Sequence, residues 1–118
     1  MTNTRKTGRR LWRLHTKTSI EAGIPVLFVE GRLGHDAAGE LEDIAVHHPR
    51  DPSSNVVIDL SGVDYLSSGA LKVFAMLDVR LSADGGRLRL RAPSVAARLA
   101  LELAGLLELV WQDQITGN

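Results

Sequence analysis

The sequence predicts a single α/β domain in which helices pack against a mixed, mostly parallel β-sheet. Its 118 residues are enough for one domain and too few for two. Its composition, 44% hydrophobic and 24% charged, is typical of a globular protein. Segments of strand type and helix type alternate in the order β-β-α-β-α-β-α, followed by a strand or helix-like tail. Because strands separated by helices need crossover connections, this order favours parallel pairing.

The chain is predicted to open with a β-hairpin. Leu11–Ile20 alternates loosely between polar and apolar residues and predicts an exposed strand. Glu21–Gly23 is a turn, and the apolar run Pro25–Glu30 predicts the second strand. Gly31–Gly34 is expected to break this second strand.

A helix is predicted after the hairpin. Asp36 is expected to cap its start, because an aspartate side chain can accept a hydrogen bond from a free amide of the first turn. The helix should end before Pro49, since the residue before a proline avoids helical backbone angles.

Strand and helix types then alternate through the second half of the chain. Val56–Leu60 is rich in β-branched residues and predicts a central strand covered on both faces. Ser61–Ser68 is predicted to be a turn, and Gly69–Ala83 an apolar helix. Asp84–Gly86 should end that helix through a glycine with left-handed backbone angles.

The last predicted elements lie near an edge of the sheet. Arg87–Arg91 alternates strictly between arginine and leucine and predicts a half-buried strand close to that edge. Pro93 or Ser94 opens the last helix, which Gly105 closes. Leu106–Trp111 is the final strand or helix-like tail.

The composition excludes several classes of function. The chain has no cysteine, which excludes disulfides, zinc–thiolate sites, iron–sulfur clusters and thiol catalysis and favours a reducing compartment. We find no apolar stretch long enough to span a bilayer and no secretory signal at the N-terminus. We therefore expect a cytoplasmic protein that is not associated with a membrane.

The charge is unevenly distributed although its net value is zero. Basic residues are concentrated before Glu21, whereas the rest of the chain is acidic. A basic arm can contact nucleic acid. The residues favour a solvated, flexible arm over residues 1–10 instead, followed by the domain over residues 11–118, and no direct contact with nucleic acid.

The junction between the central strand and the next helix contains two adjacent serines, Ser67 and Ser68. A serine at this position can cap the helix with its side-chain oxygen. It can also carry a phosphate, because the free amides and the dipole of a helix N-terminus favour an anion. The residues by themselves favour capping.

The segment Val57–Phe74 resembles the signature of the STAS domain, as found in bacterial anti-sigma factor antagonists. The similarity extends more weakly to Gly31–Leu33 and to Val95–Leu107. It implies a STAS-like fold, with a four- or five-stranded mixed sheet and helices mainly on one face. It also implies that Ser68 is the phosphorylatable serine and that Ser67 occupies a position often held by aspartate.

The resemblance further implies a function without catalysis. The unphosphorylated domain would bind an anti-sigma factor that is an ATPase-type serine kinase. Serine phosphorylation would release it and thereby regulate transcription, and a phosphatase would be a further partner. The domain would need no cofactor and would be a monomer or a weak homodimer. The alternative is a STAS scaffold or transporter-associated subunit, of the stressosome or lipid-transport type, that docks through the same face without phosphorylation.

Two positions depart from the family pattern. The family usually has glycine two residues after the phosphorylated serine, whereas this chain has Ala70 there and Gly69 before it. The aspartate that commonly follows glycine-x-leucine is replaced by Gly34, and Asp36 lies two residues further on. Asp36 is therefore a candidate supporting residue.

The helix after the serines has two contrasting faces. At helical spacing, Ala70, Phe74, Leu77 and Leu81 form a stripe that should face the sheet. The opposite stripe combines apolar and basic residues, which is typical of a small protein-binding face. Its members are Lys72, Met76, Val79, Arg80 and Ala83. The predicted partner-binding residues are Asp64, Ser67, Ser68, Gly69, Lys72, Met76, Val79 and Arg80.

Candidates for catalysis or metal binding are weak. Asp59 ends a predicted central strand but has no second carboxylate or base nearby in the sequence, so we expect it to cap a turn and support the site. The histidines lack metal-ligand spacing, and we expect those at the first helix end to be solvated. They are His15, His35, His47 and His48. We expect no metal site and no enzyme.

Overall fold

Four strands form one mixed sheet in the computed structural model, which describes residues 14–111. The strands are β1 (His15–Glu21), β2 (Ile24–Leu33), β3 (Val56–Leu66) and β4 (Leu88–Arg91), and they lie in that order across the sheet. The helices are α1 (His35–Val46), α2 (Ser68–Ala83) and α3 (Val95–Leu103), followed by a 3₁₀ turn at Leu107–Leu109. β1 is antiparallel to β2, and the other neighbouring pairs are parallel. The predicted order of elements and the mixed sheet are confirmed.

One face of the sheet packs against the helices. Alternate strand residues, such as Leu27, Ile58 and Leu90, belong to a single buried cluster that includes residues of all three helices. Phe74 of α2 and Leu101 of α3 are fully buried in it. Since successive strand residues point to opposite faces, the intervening residues lie on the other face of the sheet.

β2 and β3 are both longer than predicted. β2 continues through Gly31, which adopts a φ of +102° at a shift in the pairing register with β3. β3 continues to Leu66 because its second half pairs with the end of β2, so that Leu33 lies opposite Leu66. The turn predicted at Ser61–Ser68 is therefore wrong for residues 61–66, and Ser67 alone connects β3 to α2.

Helix ends follow the sequence signals with one exception. The expected cap at Asp36 is wrong, because β2 extends to Leu33 and α1 begins two residues later with Gly34 as its N-cap residue. Asp36 lies inside the first turn, where a carboxylate still interacts favourably with the helix dipole. The glycine end of α2 is confirmed: Gly85 has a φ of +86°, and the amide of Gly86 donates to the carbonyl of Leu81 at 2.9 Å.

The two outer strands of the sheet have different surroundings. Beside β4, the amide of Trp111 donates to the carbonyl of Leu90 at 2.7 Å, and Val110 forms an isolated parallel bridge with Leu90. β1 is bordered on one side by β2, with exposed side chains at most of its positions.

Within residues 14–111, no helix combines the length and the apolar character that crossing a bilayer requires. The predicted arm at residues 1–10 lies outside the described residues.

Candidate functional site

Ser67 is the structural residue of the strand-to-helix junction. Its side chain is buried, with 4% relative exposure, and its Oγ accepts a hydrogen bond from the amide of Ala70 at 3.1 Å. Its own amide donates to the carbonyl of Leu33 at 2.9 Å, which ties the start of α2 to the end of β2. Ser67 is therefore the N-cap of α2, and the capping interpretation of the serine pair belongs to this residue.

Ser68 has the opposite environment. It is the first residue of α2 and is exposed to solvent. The first amides of a helix have no partner within the helix and carry a positive partial charge, which favours a negatively charged group. A phosphate on the Ser68 hydroxyl would thus meet solvent and a favourable helix terminus, without disturbing the Ser67 cap.

The start of α1 lies beside the start of α2. β2 and β3 are parallel and end at the same register, and each leads into its helix within two residues. A Cβ atom added to Gly69 would lie 2.7 Å from Nδ1 of His35, the first residue of α1. A larger residue at position 69 would therefore require the exposed His35 side chain to move, while Ala70 points into the core and is fully buried. The transposed Gly69-Ala70 order is therefore compatible with the packing here.

The rim of the site contains an arginine–aromatic pair that the sequence analysis did not identify. The Arg32 guanidinium lies 4.3 Å from the ring centre of Tyr65, because these residues are paired across β2 and β3. Tyr65 is 41% exposed, and its neighbour Asp64 is also exposed. Only the long parallel pairing of the two strands brings Arg32 to this place, and no local sequence signal indicates it.

Asp36 is exposed near the same end of the sheet. It lines a shallow cavity of about 290 Å³ together with Arg32, Gly34, His35 and Ala37. Its position in the first turn of α1 keeps it a candidate supporting residue for the site. Gly34, which replaces the family's aspartate, forms the N-cap of α1 without a side-chain hydrogen bond.

The predicted faces of α2 are where the periodicity placed them. Ala70, Phe74, Leu77 and Leu81 are buried in the core. The opposite stripe, which we call the outer face of α2, is exposed and consists of Lys72, Met76, Val79, Arg80 and Ala83.

Two large apolar side chains dominate the outer face of α2. The exposed fractions are 47% for Met76 and 71% for Val79. Arg80 forms an ion pair with Glu42 of α1 at 3.5 Å, so the outer face continues onto the neighbouring helix. Ser68 lies at the start of α2, and the outer face follows it along the length of the helix.

Asp59 lies away from this site. It is 4% exposed and lies on the sheet face opposite the helices, paired with Phe28 and Arg91. Its Oδ1 accepts from the amide and hydroxyl of Ser61 at 2.8 and 2.6 Å, and its Oδ2 accepts from Nε of Arg91 at 2.8 Å. Arg91 also pairs with Glu21 at 2.9 Å.

These contacts determine the ionisation of Asp59. Burial by itself would raise the pKa of Asp59, but the hydrogen bonds from Ser61 and the charge and hydrogen bond of Arg91 outweigh it and hold the pKa below its ordinary value. We expected Asp59 to cap a turn after the strand. This expectation is wrong, because Ser61, to which Asp59 is bonded, lies within β3 and not in a turn. Asp59 instead stabilises an irregular part of the strand.

One of the two histidines at the end of α1 differs from the expectation. His47 is exposed, with Nδ1 2.9 Å from the carbonyl of Asp43, as expected for a solvated helix end. His48 is buried, and neither of its ring nitrogens has a hydrogen-bond partner in the part of the chain that the structure describes. Burial lowers the pKa of His48 below the ordinary value of histidine.

Among residues 14–111, no three acidic or histidine side chains are grouped so that they could hold a metal ion.

Comparison with known proteins identifies the fold. A family model described as "Mlab, STAS domain" matches residues 17–111. No curated protein matches the chain. Several solved structures match, including anti-sigma factor antagonists from different bacteria.

The structural similarity extends over most of each chain. The unphosphorylated anti-sigma factor antagonist SpoIIAA is 16% identical, with a TM-score of 0.64 over 88% of this chain and 98% of that chain. The phosphorylated form of SpoIIAA, from Bacillus, is 16% identical, with a TM-score of 0.59 over 86% and 97% of the two chains. An anti-sigma factor antagonist from Mycobacterium paratuberculosis is 26% identical, with a TM-score of 0.67 over 88% and 92%. Since the family model covers most of the chain and the fold agrees, this protein belongs to the STAS domain family.

Proposed function

We propose that this protein is an anti-sigma factor antagonist whose binding to an anti-sigma factor kinase is released by phosphorylation of Ser68. The observation that carries the proposal is the division of roles between the two serines. Ser67 is buried and holds the junction together, whereas Ser68 is exposed beside it at the first residue of α2. A kinase could modify Ser68 while the hydrogen bonds that define the junction remain in place.

The proposed binding surface begins at Ser68 and continues along the outer face of α2. Met76 and Val79 supply apolar area that is exposed in the free domain. Lys72 places positive charge beside it, as does Arg80, which also pairs with Glu42 of α1. Because association is stabilised by burying such apolar area in a setting of complementary charge, this surface suits a protein partner with an apolar groove and acidic rim.

Phosphorylation would change this surface more than the fold. A phosphoserine carries about −1.5 to −2 charges at neutral pH. The helix terminus tolerates that charge, but a partner packed against Ser68 would have to accommodate it. A loss of about 2–3 kcal/mol at the contact weakens binding roughly 30- to 150-fold, which is sufficient for a switch.

Incubation with a cognate anti-sigma kinase and ATP tests the proposal. We expect intact-mass spectrometry to show a gain of about 80 Da, the mass of one phosphoryl group, that disappears in Ser68→Ala. Ser67→Asp is the matched control, because aspartate retains N-capping ability and leaves the Ser68 hydroxyl intact. This variant should still be phosphorylated. The phosphorylated protein should bind the kinase at least 30-fold more weakly than the unphosphorylated protein.

Binding assays separate the two readings of the family resemblance. Stable binding without any phosphate incorporation, at the same affinity in Ser68→Ala, would overturn the switch. It would instead favour a scaffold or transporter-associated subunit that docks permanently. In either case, Val79→Asp on the outer face of α2 should weaken binding, because it places a charge in the apolar centre of the surface.

A further inference from the structure

β1 presents an outer edge that no described residue covers. It is seven residues long and contains no proline. Its first four residues are all exposed: His15, Thr16, Lys17 and Thr18. At the opposite edge of the sheet, the segment at Val110–Trp111 bonds to β4. An uncovered edge strand is a template for pairing with another strand.

The hairpin turn determines which backbone groups of β1 point outwards. Ala22 and Gly23 both have positive φ, at +53° and +81°, which is the pattern of a two-residue type I′ turn. In such a hairpin the flanking residues Glu21 and Ile24 form a hydrogen-bonded pair, and hydrogen-bonded pairs then alternate along the ladder. The amides and carbonyls of Lys17 and Ser19 therefore point towards β2. Those of Thr16, Thr18 and Ile20 point to the free edge.

A second copy of the chain fits this pattern around a two-fold axis at Thr18. In an antiparallel pair centred there, Thr18 lies opposite Thr18 of the other copy and Thr16 lies opposite Ile20. All of the outward-pointing amides and carbonyls then form hydrogen bonds across the new seam. Ile20, which is 64% exposed in the single chain, would gain a β-branched neighbour.

The charges are also complementary in this arrangement. On the face opposite the helices, Lys17 lies diagonal to Glu21 of the other copy, a carboxylate that already pairs with Arg91 of its own chain. This relation occurs twice because of the two-fold symmetry, and opposite charges across strands stabilise pairing. Self-pairing of β4 would instead place Arg89 opposite Arg89 or Arg91, so like charges would oppose it.

We propose that β1 is a self-association edge, through which two copies join their sheets antiparallel with Thr18 at the two-fold axis. The seam involves one strand from each copy, so its area is small and the dimer should be weak and dependent on concentration. It leaves Ser68 and the outer face of α2 uncovered, because these lie beyond β2 and β3 from the free edge. Self-association is thus independent of the proposed phosphorylation.

Paired charge variants test the proposal through the symmetry of the site. Since Thr18 lies opposite itself, Thr18→Lys or Thr18→Glu places like charges across the seam, and each variant should be monomeric. A mixture of the two places opposite charges there and should restore a dimer. Sedimentation equilibrium at protein concentrations up to about 1 mM covers the range of weak association.

Leu103→Lys and Leu103→Glu provide the matched control. Leu103 is 80% exposed and lies on α3, away from β1. These variants should dimerise like the wild type. Loss of the dimer in the Leu103 variants but not in the Thr18 variants would overturn the proposal in favour of α3, and a wild type that stays monomeric throughout the concentration range would overturn it outright.

Amide hydrogen exchange measures the same seam in the unmodified protein. As concentration rises, exchange at the outward-pointing amides of Thr16, Thr18 and Ile20 should slow. The amides of Lys17 and Ser19, already bonded to β2, should change little. A dimer that forms without slowing exchange at Thr18 would show that the association uses another surface.

Discussion

Asp59 of β3 and Ser68, the first residue of α2, show how burial separates a structural side chain from one that is accessible to modification. Asp59, in the middle of the strand, is buried, and both of its oxygens are bonded to Ser61 or Arg91. Ser68, just after the strand, is exposed at a helix terminus. A buried carboxylate with every contact made has little capacity to bind anything else, whereas an exposed hydroxyl beside a positive helix terminus can be modified and recognised. Burial thus decides which of the two side chains is accessible to further chemistry.

Removing the Asp59 carboxylate should have the largest effect on stability. Asp59→Ala removes the acceptor of three hydrogen bonds, from the amide and hydroxyl of Ser61 and from Nε of Arg91, while Arg91 keeps its ion pair with Glu21. We expect the free energy of unfolding to fall by about 3 kcal/mol, since hydrogen bonds to a charged group are worth more than neutral ones. Urea denaturation at neutral pH measures the change. Asp64→Ala, an exposed aspartate of the same strand, should cost less than about 0.5 kcal/mol. Equal losses in the two variants would contradict the comparison.

The serines at the junction should separate stability from modification. Ser67→Ala removes the hydrogen bond to the Ala70 amide and should cost about 1 kcal/mol of unfolding free energy. Ser68→Ala should change stability by less than about 0.5 kcal/mol. Thermal or urea unfolding of both variants checks this. A larger loss for Ser68 than for Ser67 would mean that the cap is misassigned.

His48 should produce a smaller effect that depends on pH. Its pKa in the folded protein is lowered by burial, so the unfolded state binds the proton more readily. The stability that the neutral ring contributes is therefore complete above the ordinary histidine pKa of about 6.5. It declines as the pH falls below that value, towards the lowered pKa of the folded state. Unfolding curves between pH 7.5 and about pH 5 should show this decline.

The neighbouring histidine provides the control for this titration. His47→Gln changes an exposed ring and should leave the pH dependence of stability unaltered, whereas His48→Gln should flatten it.

The carboxylate of Asp59 affects stability at lower pH. Its lowered pKa means that its contribution is present above the ordinary aspartate pKa and is lost as the pH falls through the folded value. The two groups therefore affect separate ranges of pH.

Much of the fold was predictable because its signals are local. The alternation of strand and helix segments, the apolar stripe from Ala70 to Leu81 and the glycine that ends α2 depend on near neighbours in the chain. The candidate site was predictable in part. The Ser67-Ser68 pair and the outer face of α2 could be identified from spacing and resemblance, but the pair of Arg32 and Tyr65 could not, since it forms between two strands.

The order of the elements, the buried face of α2 and the two serines at a helix start were all predictable from local patterns in the sequence. Three features depend on packing between distant segments: β3 runs on to Leu66, Ser67 is the buried cap while Ser68 is exposed, and His48 is enclosed. Periodicity reports which face of a segment is apolar. It does not report which distant segment covers a given side chain. That depends on how β2 pairs with β3 and on where α1 lies.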